Sequence, residues 1–213
     1  MVQCNAVLLS TACFAPVQYY TKLTLFHTVY LEQHENFLKQ TYRNRYELLG
    51  ANGPVSLVVP VVKGRGRKIK IRDLQISYDT SWQRNHWRTI FSAYNSSPFF
   101  EYYQDDFRPF FEKPRKFLFD FNLATLEALC DLMELEPVIQ MTSGFEAVPG
   151  NTLNLREAFT PKSHKVSPDD SFNPLPYTQV FPAPTGFNLN LSILDLLFNE
   201  GPNSRNILEG SCR

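Results

Sequence analysis

The chain has 213 residues, 43% of them hydrophobic and 20% charged, and its formal net charge is zero. That length and composition fit an ordinary globular chain forming one domain over residues 1–213, and they exclude a disordered one. The charge balance offers no basis for nucleic-acid binding or attraction to an anionic membrane surface, so no nucleic-acid partner is expected.

The 18 Phe and 10 Tyr read first as an aromatic core and second as a stacking surface for a sugar or base. Cys4, Cys13, Cys130 and Cys212 are scattered, with no Cys-x-x-Cys pair and no His at zinc spacing. No disulfide framework, metal site or cofactor is expected from them. The apolar run over residues 6–17 has no Lys or Arg before it and is broken by Ser10, Thr11 and Pro16, a poor signal peptide. No run approaches the ~20 apolar residues of a membrane span, and a cytoplasmic location is the default expectation.

In chain order, Ala6–Ser10 reads as a buried strand, and Pro16 suits the first position of a helix with Val17, Tyr20 and Leu23 on one face. Thr28–Glu32 is a second strand, so the opening is a βαβ-like unit, where ligands often sit beyond the strand ends. Residues 42–49 and 55–62 read as an antiparallel hairpin around Asn52-Gly53, since both residues tolerate positive φ. Lys63-Gly64-Arg65-Gly66-Arg67 reads as a second, basic turn, and not a phosphate loop, because no Gly-Lys-Ser/Thr follows. Ile69 and Ile71, then Leu74, Ile76 and Tyr78, alternate in two registers, which predicts a bulge or break at Arg72-Asp73.

Thr80-Ser81-Trp82-Gln83 matches a capping box, ahead of a helix with His86, Trp87, Ile90, Phe91 and Tyr94 along one face. A second helix carries Phe99, Tyr103 and Phe107, with Pro109 kinking or ending it. Asn122 is expected to cap a third, and Val138–Met141 to form a short strand. Residues 142–186 are proline-rich and lack periodicity, a long irregular excursion. A helix returns near the end, with Ser192, Asp195 and Asn199 on one face. The fold class expected is mixed α/β: a βαβ-like start, antiparallel hairpins, a central helical segment, the Pro-rich loop and a C-terminal helix.

The densest polar stretch follows the second strand. His34 and Glu35 are candidates for an acid/base pair. Lys39, Arg43 and Arg45 are candidates for holding phosphate or carboxylate, with Arg43 and Arg45 on one face if the chain is extended. The bland alternative is a solvated loop and strand face. Asp79, Trp82, His86 and Tyr94 form a second candidate group, although a His on an aromatic face is more often packed than catalytic. Lys22 is expected near the strand-end crevice. A buried Asp195 would need a partner, and Arg43 or Arg45 would serve. No nucleophile-elbow motif supports a hydrolase.

The order of segments resembles the WbqC-like protein family of bacteria. The matching stretches are Tyr20 to Lys22, Tyr42-Arg43-Asn44-Arg45, Gly53 with Leu57 to Val61, Trp82 with His86, Tyr94 and Pro98-Phe99, Tyr177-x-Gln179, and the terminal Leu-Ser-Ile-Leu-Asp-Leu-Leu-Phe-Asn-Glu-Gly over residues 191–201. The resemblance covers residues 6–201. The family's usual His-Gln-Pro after the first strand is here Thr11-Ala12-Cys13-Phe14-Ala15-Pro16, with only the proline kept, and its Tyr-x-Ser-Gly segment has no good match.

The resemblance implies a transferase of surface-polysaccharide (O-antigen type) biosynthesis. Its small-molecule substrate would be a sugar, nucleotide-sugar or aminoacyl donor, with glycyl or aminoacyl transfer among the chemistries attributed to members. It carries over Lys22, Asn44, Arg45, Trp82, His86, Tyr94, Ser192, Asp195 and Asn199 as family positions. The rival expectation is a non-catalytic module binding a glycan or protein, motivated by the missing loop histidine.

Overall fold

In a computed structural model, residues 4–62, 68–145, 150–161, 169–181 and 186–213 are described. The basic turn at residues 63–67 lies outside them.

A four-stranded parallel sheet organises the molecule. Its strands are β1 (Ala6–Ser10), β2 (Thr28–Glu32), β5 (Val138–Met141) and β6 (Thr152–Asn154), in the order β5-β2-β1-β6. Ala6 pairs with Thr28 and Ser10 with Glu32, so the two central strands end level with each other. Val7, Leu8, Leu9, Val29 and Leu31 are buried, the continuous apolar run that a central parallel strand needs.

Helix α1 (Val17–Leu25) crosses from β1 to β2, with Pro16 one residue earlier than expected, at the N-cap. Every residue from Val17 to Leu23 is buried, Gln18, Thr21 and Lys22 included. The reason is that α1 is covered by the C-terminal helix α6 (Ser204–Gly210) and by the side chains of Asp169 and Ser171. The Pro-rich excursion contains β6, which sequence periodicity missed because a three-residue edge strand is too short to show one.

The antiparallel pair is β3 (Arg45–Gly50) and β4 (Gly53–Val58). Both are shorter than expected. The two-residue loop is Ala51-Asn52, and Gly53 rather than Asn52 takes the positive φ, 105°. At the predicted break, Ile71–Asp73 form a 3₁₀ turn.

Three helices complete the centre: α2 (Trp82–Tyr94), α3 (Phe100–Glu112) and α4 (Leu118–Leu132). The capping box does not form, since Ser81 is the N-cap and its side chain bonds no helix N–H. Pro109 lies inside α3 without ending it. The cost of a mid-helix proline is offset by burial of Phe107 and Phe111 on either side. Asn122 sits one turn inside α4 rather than at its start. On α2, Phe91 faces outward at 47% exposure.

The core is aromatic, as composition suggested. Phe14 lies at its centre, with ring contacts to Tyr46, Phe107, Phe111 and Phe121. Helix α5 (Ile193–Glu200) adds Phe198 against Tyr94, Phe100 and Phe107. All four cysteines are free thiols. Among the described residues, no helix is long and apolar enough to cross a membrane.

Candidate functional site

The carboxyl ends of β1 and β2 deliver Ser10 and Glu32 to the same edge of the sheet. The loop after β2 adds His34 and Glu35, and Arg43 precedes β3. Arg43 grips Glu35 with two parallel bonds, Nε to Oε1 at 2.7 Å and Nη2 to Oε2 at 2.6 Å. The two side chains are only 3% and 4% exposed. Arg43 Nη2 also donates to Ser10 Oγ at 2.7 Å. The backbone of Arg43 is fixed from behind, because Asn122 Nδ2 donates to its carbonyl at 2.8 Å.

Glu32 anchors a second pair. Its Oε2 accepts from Arg156 Nη1 at 2.9 Å, and its Oε1 accepts from the His34 backbone N–H and the Thr142 hydroxyl. Buried carboxylates need such partners, since an unpaired charge out of water costs several kcal/mol.

Two spaces adjoin these pairs. A cleft of about 380 Å³ is lined by Glu35, Phe145, Asn154, Arg156 and Glu157 among others. Behind it, Ser10, Thr11, Tyr19, Arg43, Arg156 and Phe159 wall a cavity of about 10 Å³, room for roughly one water. Phe145 is half exposed, with the Arg156 guanidinium 4.7 Å from its ring centroid. Glu157, 75% exposed, stands at the mouth 3.7 Å from Arg43 Nη2. An aromatic face beside carboxylates and guanidiniums suits a small polar ligand, which can stack on the ring and hydrogen-bond to its rim.

The expected residues divide. His34, Glu35 and Arg43 do meet at the crevice, although His34 and Glu35 bond different partners. His34 Nε2 lies 2.9 Å from the Thr142 carbonyl and its Nδ1 3.4 Å from Arg72 Nη1, which fits a neutral ring with its proton on Nε2. Lys39 is exposed and makes no side-chain hydrogen bond or ion pair among the described residues.

Arg43 and Arg45 do not share a strand face, because β3 begins only at Arg45. Asn44 is a brace: its Nδ2 donates to the Val59 carbonyl and its own carbonyl accepts from the Val59 N–H, both at 2.8 Å. His86 and Trp82 belong to the aromatic core. His86 Nδ1 lies 2.9 Å from the Tyr46 hydroxyl, its ring neighbours are Tyr46, Trp82 and Phe111, and burial pushes its pKa down to about 4. It is neutral near pH 7, and none of those neighbours lines the crevice.

Lys22 does not reach the crevice either. It lies in the second turn of α1, fully buried, with Nζ 2.6 Å from Asp169 and 2.7 Å from Ser171 Oγ. Burial alone would raise the Asp169 pKa, but hydrogen bonds from Lys22, Ser171 and Gln18 carry it below the ordinary value.

The expected pairing of Asp195 with an arginine is also overturned. Its carboxylate takes three neutral donors: Tyr94 at 3.0 Å, Tyr177 at 2.7 Å and Gln179 at 2.9 Å. Burial raises its pKa, with those three bonds opposing. Ser192 caps α5 through the Leu194 N–H, and Asn199 Nδ2 bonds the Asp195 carbonyl.

Comparison with known proteins decides the family. The profile of the WbqC-like protein family matches residues 12–166. The chain belongs to the WbqC-like protein family. It is also 27% identical over 190 residues to "Uncharacterized protein Rv1507c" of Mycobacterium tuberculosis, covering 78% of this chain and 80% of that protein. No solved structure matches.

The WbqC-like match spans Glu32, Glu35, Arg43 and Arg156, and stops short of α5. The terminal helix is therefore outside the matched region, although the resemblance extended to residue 201. The sequence places Glu32 in the polar stretch without giving it a role, and it does not single out Arg156. Glu32 carried a signal, a charge as the last residue of an otherwise buried strand. Arg156 carried none, lying in a stretch with no periodicity.

Proposed function

We propose that the strand-end crevice is the active site of a transferase acting on a small polar substrate, a sugar, nucleotide-sugar or aminoacyl donor, in bacterial surface-polysaccharide synthesis. One observation carries the reading. A buried and a partly buried ion pair converge beyond the carboxyl ends of parallel strands, the usual ligand position in such sheets, beside a cleft with an exposed aromatic ring. Such a transfer breaks the bond between the transferred group and the leaving group of the donor, forms one from the transferred group to an acceptor hydroxyl or amine, and releases the leaving group and the acceptor's proton. On this reading Glu35 takes that proton. Arg43 and Arg156 stabilise the negative charge that develops, on the leaving group of a sugar donor or on the acyl oxygen of an aminoacyl donor. His34 is the second candidate, since its Nε2 faces the Thr142 carbonyl and its Nδ1 faces Arg72. Glycan binding without turnover is the second reading, favoured by the full commitment of Glu35 to Arg43.

The test is thermal shift against a panel of sugars, nucleotide-sugars, amino acids and aminoacyl analogues, followed by assay of the stabilising compound for group transfer. A ligand that binds only the folded state raises Tm by mass action. The expected result is a shift that Phe145→Ala and Glu157→Ala abolish, two changes at exposed positions that leave the core intact. A shift insensitive to both would place the ligand elsewhere and sink the proposal. A sensitive shift without turnover would favour the binding module.

A further inference from the structure

We infer that residues 154–159 are a hinged roof over the crevice, latched by Arg156, and that the cavity and the cleft are two parts of one site divided by this roof. The inference rests on reading the crevice as the ligand site. Arg156 lines both spaces, while Leu155 and Ala158 line the cleft and Phe159 the cavity.

The manner of attachment is the argument. No residue from 151 to 160 is fully buried, and β6 is an edge strand of three residues. The roof is held by polar bonds at its middle instead. The Arg156 carbonyl accepts from Ser10 Oγ at 2.6 Å and from Arg43 Nη2 at 3.4 Å. The Arg156 guanidinium donates to Glu32, to the Phe145 carbonyl at 2.7 Å and to Asn154 Oδ1 at 3.1 Å. The Leu155 N–H adds a bond to the Leu8 carbonyl at 2.9 Å. Phe159 rests edge-on against Tyr19.

A segment with few buried apolar groups opens locally at less cost than the core it covers. The Arg156 carbonyl is fastened to Ser10 and Arg43, the same side chains that wall the inner cavity. With the roof down, the inner wall is shut behind room for one water. With it raised, Ser10, Thr11 and Arg43 join the cleft. Arg156 on this view also sets how often the site is open.

Roof motion is measured without ligand, so its failure is distinct from failure of the site assignment. Thr11 lines the inner cavity, and Thr11→Cys places a thiol behind the roof. Alkylation by iodoacetamide, followed by peptide mass spectrometry, should be slow in that variant and about tenfold faster or more when Arg156→Ala is added, with the buried Cys130 unchanged. An unaltered rate at position 11, or an equal rise at Cys130, would overturn the roof, because opening would then be absent or global. Hydrogen exchange on the unmodified protein gives a readout that needs no variant. The Leu155 amide should exchange about tenfold faster than the amides bonded between β1 and β2, and equal protection would overturn the proposal.

Discussion

The strand-end crevice and the Asp195 cluster both bury a carboxylate, and they satisfy it in different ways. In the crevice, Glu35 and Glu32 each meet a guanidinium, and an open cleft adjoins them. Around Asp195 the partners are two tyrosine hydroxyls and an amide. Neutral donors fix geometry without cancelling charge, so the carboxylate keeps a raised pKa. Tyr177 and Gln179 come from the Pro-rich excursion, so this cluster fastens that segment onto α5. The contrast separates the place proposed to receive a ligand from a place that holds the chain.

The sharpest way to break this comparison is to remove the crevice cation. Arg43→Ala leaves Glu35 buried and unpaired and should cost about 3–5 kcal/mol. The double variant Arg43→Met, Glu35→Met should recover most of that stability and no ligand binding. Urea denaturation and the thermal-shift panel measure the two halves separately. If the double variant still bound ligand, the pair would be structural only.

The next largest effect is on pH. His86 has a folded pKa of about 4 against an ordinary value of 6.5. The unfolded chain binds its proton first as pH falls, so stability is full above pH 6.5 and is lost on descending toward 4. The loss is about 3 kcal/mol, from 1.36 kcal/mol per pKa unit. His86→Phe should abolish that part of the acid slope, and equilibrium denaturation at pH 7 and pH 4.5 reads it. An unchanged slope would mean the ring titrates normally and is not held in the core.

Asp195→Asn should cost about 1–3 kcal/mol through mismatched donors and leave ligand binding intact. The sign with pH is opposite to that of His86. A raised acid pKa means the folded state holds the proton longer, so stability falls as pH rises from the ordinary aspartate value through the folded one. The gap between wild type and Asp195→Asn should therefore be widest in acid and narrow toward neutrality.

What could be read beforehand follows from how local each cause is. The bounds of β1, β2 and β5 were legible, because buried strands are short apolar runs between polar ends. The position of His34, Glu35 and Arg43 beside the strand ends was legible because they follow a strand in a βαβ unit. Arg156 was not, since its role depends on β6 pairing with β1 across 146 residues, which no local pattern encodes. Lys22, His86 and Asp195 were read as site residues because polar groups in buried surroundings look alike in sequence, whether they meet a ligand or another segment of the chain. In the fold they bond Asp169, Tyr46 and Tyr177, all distant along the chain.

Lys39 gives the smallest effect and the finest test of where the site ends. It belongs to the same polar run as Glu35 and Arg43, and sequence alone could not separate them. In the fold its side chain is exposed and pairs with nothing among the described residues. A solvated lysine contributes little, so Lys39→Ala should change stability by less than about 0.5 kcal/mol. It should also leave the ligand-induced Tm shift unaltered, while Phe145→Ala, far away in sequence, removes it. Loss of the shift in Lys39→Ala would mean that the ligand spreads over the outer loop, and that the charged run, not the crevice formed by strand ends and roof, is the unit of recognition.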